Sequence, residues 1–208
     1  MLQGVLTAMI TPFRDGEVDE ARLRENVNFQ IEQGVDGLVP VGTTGESPTL
    51  SHHEHRQVVE KVVELAAGRV KVIAGTGSNA TSEALELTEH ARSVGADGAL
   101  LVNPYYNKPT QEGLYRHFAT VAEQVDLPQV LYNIPGRTGV TLSPASIERL
   151  ASHTRIVGIK EATGSMDQAS EIRVRCGENF SIVSGDDSLT LPLMAVGAKG
   201  VISVASNL

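Results

Sequence analysis

The sequence carries five lysines, and one of them stands where an amine could do chemistry. Lys61 falls inside a helical pattern, Lys71 opens an apolar run, Lys108 sits in a Pro-bearing loop, and Lys199 lies in a helix-to-strand turn. Lys160 instead closes the run Ile156-Val157-Gly158-Ile159. Period-two alternation puts Ile156, Gly158 and Lys160 on one face, with Val157 and Ile159 on the other. With that apolar pair turned toward helices, Lys160 points into the space the strands enclose. A desolvated ammonium there has a lowered pKa and a larger neutral fraction, the form that attacks a ketone. The plainer reading is a solvated lysine at a strand end, or one paired with Glu161, although Glu161 should face the other way. Position alone leaves the two readings level.

Other reactive types gather at the ends of other apolar runs. Tyr132 ends Val130-Leu131-Tyr132, where its phenol could move protons beside an imine or serve as a core-edge aromatic. Gly42-Thr43-Thr44-Gly45-Glu46 offers two hydroxyls and closely approaching backbone N–H groups, a carboxylate cradle that is weak evidence as a lone motif. Arg137 follows Tyr132 in a turn and could grip a second carboxylate with its planar fork, or form a surface salt bridge. Metal chemistry fits poorly. His52, His53 and His55 cluster at a helix start, His90 and His117 lie within helices, and His153 precedes a strand, so no histidine ends one. Asp186 and Asp187 are expected to cap the helix beginning near Ser188 rather than to hold Mg²⁺.

The elements that must position these residues alternate along the whole chain. Apolar β-branched runs occur at 5–10, 37–41, 70–74, 99–102, 129–132, 156–159, 180–183 and 201–204. Between them lie helical patterns, such as 54–65 with Val58, Val62, Val63 and Leu65 on one face, and 83–94 with Leu85, Leu87, Ala91 and Val94. Such alternation implies βαβ units and a parallel sheet buried on both faces. Gly34-Val35-Asp36-Gly37, Gly95-Ala96-Asp97-Gly98 and Gly197-Ala198-Lys199-Gly200 each bridge a helical segment to a run, with the first Gly suited to a helix C-cap. The count is eight strands and seven helices in one domain. A doubly wound sheet lacks its fingerprint, because Gly75-Thr76-Gly77 is followed by Ser78-Asn79-Ala80 without a third Gly. Polar groups after several different strands favour a closed (β/α)₈ TIM barrel, which builds its site at that end.

Composition narrows the partners. The 208 residues include 17 Lys plus Arg against 25 acids, a net charge of -8, which argues against nucleic acid or an anionic membrane. A single cysteine, Cys176, excludes an internal disulfide framework and points to a reducing compartment. No apolar stretch is long enough to span a bilayer, and Met1-Leu2-Gln3-Gly4 lacks a basic signal region, so a cytoplasmic protein is expected.

Six segments, in order, resemble the dihydrodipicolinate synthase family of pyruvate-dependent class I aldolases. They are Gly42-Thr43-Thr44-Gly45-Glu46-Ser47, Asn103-Pro104-Tyr105-Tyr106-Asn107, Tyr132-Asn133-Ile134-Pro135-Gly136-Arg137-Thr138, Gly158-Ile159-Lys160-Glu161-Ala162, Ser184-Gly185-Asp186-Asp187 and Gly200-Val201-Ile202-Ser203. The resemblance implies a (β/α)₈ barrel in which Lys160 forms a Schiff base with pyruvate, without a separate cofactor or metal. It implies Tyr132 as proton donor and acceptor, linked through Thr44 to Tyr106, which reaches in from a neighbouring subunit of a homotetramer. Thr43 and Thr44 become the carboxylate and relay hydroxyls, Gly185 and Ile202 line the pocket, and Arg137 receives the carboxylate of L-aspartate 4-semialdehyde. The implied product is 4-hydroxytetrahydrodipicolinate, on the route to diaminopimelate and lysine. Ser47, His52, His55, Asn79, Glu83 and Tyr105 match the inhibitory L-lysine site of regulated members. Sibling aldolases of N-acetylneuraminate or keto-deoxy sugar acids share the lysine and tyrosine, and a non-catalytic lysine-binding homologue is a third reading. Arg137, and Thr-Thr at 43–44, favour the synthase.

The family also carries helices beyond strand eight, and barrels of this class usually run to about 250 residues. The sequence stops at Leu208, directly after the eighth run. The domain expected over 1–208 is therefore a barrel truncated after its eighth strand, without the eighth and C-terminal helices, leaving part of the outward strand surface uncovered.

Overall fold

The computed structural model describes residues 2–208. Eight parallel strands close into a barrel: β1 (Gly4–Ala8), β2 (Gly37–Val39), β3 (Lys71–Gly75), β4 (Gly98–Val102), β5 (Gln129–Asn133), β6 (Ile156–Glu161), β7 (Ser181–Ser184) and β8 (Gly200–Ser203). Each pairs with its sequence neighbours, and β1 closes the ring by pairing with β8 from Gly4↔Gly200 to Thr7↔Ser203. The intervening helices are α1 (Glu20–Glu32), α2 (His52–Ala66), α3 (Thr81–Ser93), α4 (Gln111–Gln124), α5 (Pro144–Ala151), α6 (Met166–Cys176) and α7 (Thr190–Ala195). The expected eight strands and seven helices are all present, with an added helical turn at Pro135–Thr138 between β5 and α5.

Local chemistry explains the boundaries. Ser51 and Glu54 form a reciprocal capping box at the start of α2, and Asp19, Thr110, Ser143 and Ser165 cap α1, α4, α5 and α6. Gly34, Gly95 and Gly197 take positive φ at +83°, +88° and +95°, so each turns the chain from a helix into the next strand.

Two apolar layers follow from the strand alternation. Leu6, Val39, Ile73, Leu100, Val130, Val183 and Ile202 fill the barrel interior. Leu38, Leu101, Leu131 and Ile159 pack outward against Val27, Val58, Val62, Phe118 and Ile147 of the helices. On α2, Val59 is buried, whereas Val63 is only partly so; on α3, Ala84 and Thr88 join Leu87 and Ala91 inside, while Leu85 and Val94 lie at the margin. In both cases the buried stripe is set by where the barrel wall lies, not by the apolar residues alone.

One expectation fails in β6. The register against β5 runs Gln129↔Ile156 and then Val130↔Gly158, so an extra residue is inserted at Val157. Ile156 and Ile159 both pack in the outer layer, and Val157 packs against the inner one. This bulge exchanges the faces expected of Ile156 and Val157. Lys160, beyond it, still faces inward.

A two-stranded hairpin, Phe13–Arg14 with Glu17–Val18, lies outside the barrel after β1. Beyond β8 the chain forms a single turn at Ala205–Asn207. The Asp187 carboxylate accepts from the backbone N–H of Val204 and Ala205 and from Ser203 Oγ. Val5, on the outward side of β1, is half-exposed, whereas Val201 on β8 is buried. No helix among the described residues is long and apolar enough to cross a membrane.

Candidate active site

The barrel brings Lys160 and Tyr132 together directly. They are register partners on β6 and β5, and both side chains enter the C-terminal mouth. Lys160 is 4% exposed, and its Nζ lies 4.4 Å from the centroid of the Tyr132 ring. Burial lowers its pKa from 10.5 to about 8; Asp186 and then Asp187 oppose that shift, and Arg137 reinforces it. The solvated-lysine reading is thereby excluded, and so is pairing with Glu161. That carboxylate turns away, accepting from Thr163 N–H at 2.8 Å and Gln168 Nε2 at 3.3 Å. Burial raises the Glu161 pKa, and those bonds only partly restrain it.

Glycine makes room for the lysine stem. A Cβ at Gly185 would stand 2.6 Å from Ala162 Cβ and 3.2 Å from Lys160 Cε, so any side chain there would displace one of them. The Gly185 N–H also donates to Glu161 O at 2.8 Å, tying β7 to β6 at the site. Ile202 is fully buried in the barrel interior.

Burial raises the phenol pKa of Tyr132; the nearby Arg137 charge and Thr43 hydroxyl hold it back. Thr43, Tyr132 and Arg137 line one cleft of about 220 Å³. Of the two adjacent threonines, Thr43 lines this cleft with the phenol. Thr44 is half-buried and does not line the cleft. Tyr106 is 91% exposed at φ +69° and does not line the cleft either. Arg137 sits on the added helical turn, exposed, and none of the ion pairs among the described residues includes it.

The same cleft extends to Ser47 and Tyr105. Nearby, His52 Nε2 stands 3.9 Å from Glu83 Oε1, Glu83 accepts from Ser78 Oγ at 2.6 Å, and Asn79 O accepts from Asn107 Nδ2 at 3.1 Å. His55, unlike Ser47, His52, Asn79, Glu83 and Tyr105, is buried. It is 3% exposed, its Nε2 bonds Gly75 O at 2.8 Å, and burial lowers its pKa to about 4.

Two readings of the acids change. Neither Asp186 nor Asp187 caps a helix through its side chain: Asp187 instead holds the turn after β8, and Asp186 leaves its charge near Lys160. Among the described residues no three His, Cys, Asp or Glu side chains cluster as a metal site would require.

Sequence reasoning missed the amides of Asn103 and Asn133. Both are fully buried, and Asn103 Nδ2 donates to Asn133 Oδ1 at 3.0 Å. An asparagine directly after each of two neighbouring apolar runs, 99–102 and 129–132, was the available signal.

A closed parallel barrel with this polar cluster at its C-terminal mouth defines a (β/α)₈-barrel enzyme. The chain belongs to the dihydrodipicolinate synthetase family, whose model matches residues 1–208. It is 61% identical over all 208 residues to a 4-hydroxy-tetrahydrodipicolinate synthase of Citrifermentans bemidjiense, covering 72% of that relative's length. Among solved structures, it superposes on dihydrodipicolinate synthase from Aquifex aeolicus with a TM-score of 0.98 at 59% identity, covering 99% of this chain and 71% of that one. The pyruvate complex of the Acinetobacter baumannii enzyme aligns at TM-score 0.97 and 50% identity, covering 100% of this chain and 72% of that one. The lysine-bound Cyanidioschyzon merolae enzyme aligns at 0.96 and 44%, covering 99% and 70%.

Proposed function

We propose that this chain catalyses the condensation of pyruvate with L-aspartate 4-semialdehyde, giving 4-hydroxytetrahydrodipicolinate, with Lys160 as the nucleophile. The observation carrying this reading is a buried amine of lowered pKa beside a buried phenol, at the C-terminal mouth of the barrel. The family name and the relatives' names support the synthase over a sugar-acid lyase or a non-catalytic binder.

The chemistry follows from the groups present. Neutral Lys160 Nζ adds to the pyruvate ketone, and loss of water leaves a protonated imine. That positive nitrogen acidifies the adjacent methyl group, so loss of one proton gives an enamine. The enamine carbon bonds to the aldehyde carbon of the second substrate, whose oxygen takes up a proton. The substrate amine then adds to the imine carbon and displaces Lys160, closing the ring and restoring the free enzyme. Tyr132, with Thr43 beside it, moves protons in these steps. Arg137 holds the semialdehyde carboxylate through its planar fork.

The same reading includes a cytoplasmic homotetramer in which Tyr106 serves a neighbouring subunit, and inhibition by L-lysine near Ser47, His52, His55, Asn79, Glu83 and Tyr105. The exposed Tyr106 supports the first part, and the cleft reaching Ser47 and Tyr105 supports the second. Borohydride added with pyruvate tests the central claim. It should attach the three-carbon unit irreversibly to Lys160, as read by peptide mass. Labelling of another residue, or none in folded protein, would overturn the imine.

A further inference from the structure

Between β5 and α5 the chain loops out from Asn133 to Leu142, carrying Arg137 near its tip. The loop is closed by side-chain amides rather than by a strand. Asn133 Nδ2 donates to Leu142 O at 3.0 Å, and its Oδ1 accepts from Leu142 N–H at 3.0 Å. One asparagine thus binds both polar groups of one peptide residue, as a neighbouring strand would. Asn103, just past β4, completes the clamp. Its Nδ2 donates to Asn133 Oδ1 at 3.0 Å and to Val140 O at 3.4 Å, and its backbone N–H donates to Tyr132 O at 3.1 Å. Within the loop, Thr138 Oγ1 donates to Ile134 O at 3.0 Å or Val140 O at 2.9 Å, stiffening the turn that holds Arg137.

Both asparagines and Leu142 are fully buried, so these bonds act in a water-free setting where an unmade bond is costly. Asn103 Oδ1 nevertheless has no partner among the described residues, a cost an apolar pair would not carry. Polar pairs retained against that cost are found where a site needs its geometry fixed.

We propose that Asn103 and Asn133 are positioning residues that set the reach of Arg137, and hence selection of the carboxylate-bearing second substrate. The proposal rests on the role of Arg137 given above. Neither amide needs to touch substrate. Asn103 is the better probe, because losing it leaves the Asn133–Leu142 pair in place.

Asn103→Ala should raise KM for the semialdehyde by about tenfold, as expected of a displaced binding group. Borohydride trapping of pyruvate on Lys160, read above pH 8 where the amine is largely neutral, should stay within about twofold of the parent, because Arg137 acts on that step only through the amine's pKa. Added to Arg137→Ala, the same substitution should change KM no further, since the group it positions is gone. An equal KM increase in both backgrounds, or an unchanged KM in the parent background, would overturn positioning. A parallel loss of trapping in Asn103→Ala alone would overturn it too, by showing a general structural effect. Asn103→Leu, close in shape and unable to bond, replaces the alanine variant if that one fails to fold. Failure of both to fold would make the pair a folding determinant and end the proposal. Absence of trapping in the parent itself would instead remove the imine reading.

Discussion

Lys160 stands over the face of Tyr132, its Nζ 4.4 Å from the ring centroid. The ammonium therefore meets the ring's negative face, a contact that weakly favours the charged form. Burial pushes the other way and wins, because the pKa falls to about 8. Stacking also leaves the phenol oxygen free of the amine. One group can hold carbon while the other handles protons.

A buried charge of this kind costs stability. In the unfolded chain the amine titrates near 10.5, and in the folded chain near 8. Between those values the unfolded chain binds more protons, so stability rises with pH across that window. Below pH 8 both states are charged and the penalty is fully present. Lys160→Met should therefore stabilise the fold by on the order of 2–3 kcal/mol at pH 7, with the advantage fading toward pH 10.5. Melting curves of both proteins across pH 6–10.5 check this. The variant should be inactive, and an equal or lower melting temperature at pH 7 would refute the buried-charge account.

The phenol and its hydroxyl neighbour can be separated from the ring. Tyr132→Phe keeps the surface beneath Lys160 but should slow turnover by about 10²–10⁴-fold, the usual weight of a positioned proton-transfer group. Thr43→Val should slow turnover more than Thr44→Val, because Thr43 lines the cleft with the phenol and Thr44 does not. Steady-state kcat for the three variants decides, and a larger effect at Thr44 would restore the relay through that residue.

Arg137 has two separable effects. Removing the contact proposed between Arg137 and a substrate carboxylate should lower kcat/KM for the semialdehyde by about 2–3 kcal/mol, or roughly 30–150-fold. Arg137→Lys should recover little of this, since an ammonium cannot match the planar fork. The guanidinium also depresses the Lys160 pKa. In Arg137→Ala the rise of imine formation with pH should therefore move to higher pH. A profile unmoved by the substitution would separate Arg137 from the nucleophile.

Most of the frame was legible because parallel strands covered on both sides read as short apolar runs, such as Val130-Leu131 and Ile182-Val183. The glycines at 34, 95 and 197 marked the helix ends for a backbone reason, their positive φ. The hairpin at 13–18 was missed because two-residue strands show no period, although Asp15-Gly16, both at positive φ, is a hairpin turn signal. The bulge at Val157 escaped because alternation within one strand carries no information about register with its neighbour. Asp187 looked like a local cap, yet its partners lie 16 to 18 residues away across β8. Likewise, adjacent threonines located a loop without telling which hydroxyl turns toward Tyr132.

Acid should weaken the fold through two histidines outside the proposed proton path. His55 and His117 are buried, and burial lowers each pKa from 6.5 to about 4. His55 keeps its bond to Gly75 O, and His117 Nδ1 meets Thr81 Oγ1 at 2.9 Å. The opposite ring nitrogens, His55 Nδ1 and His117 Nε2, have no partner among the described residues to accept a bond from an added proton. As pH falls from 6.5 to 4 the unfolded chain takes up protons that the folded chain refuses, so stability falls over that window and this contribution levels off below it. Each ring can contribute up to about 3 kcal/mol to the loss. His117→Leu cannot take up that proton in either state, so it should flatten the decline of melting temperature with acid by about one proton's worth. Titrating both proteins from pH 7 to pH 4 at constant ionic strength reads the difference. Parallel curves would mean that His117 is protonated in the folded chain and that its burial does not control acid stability.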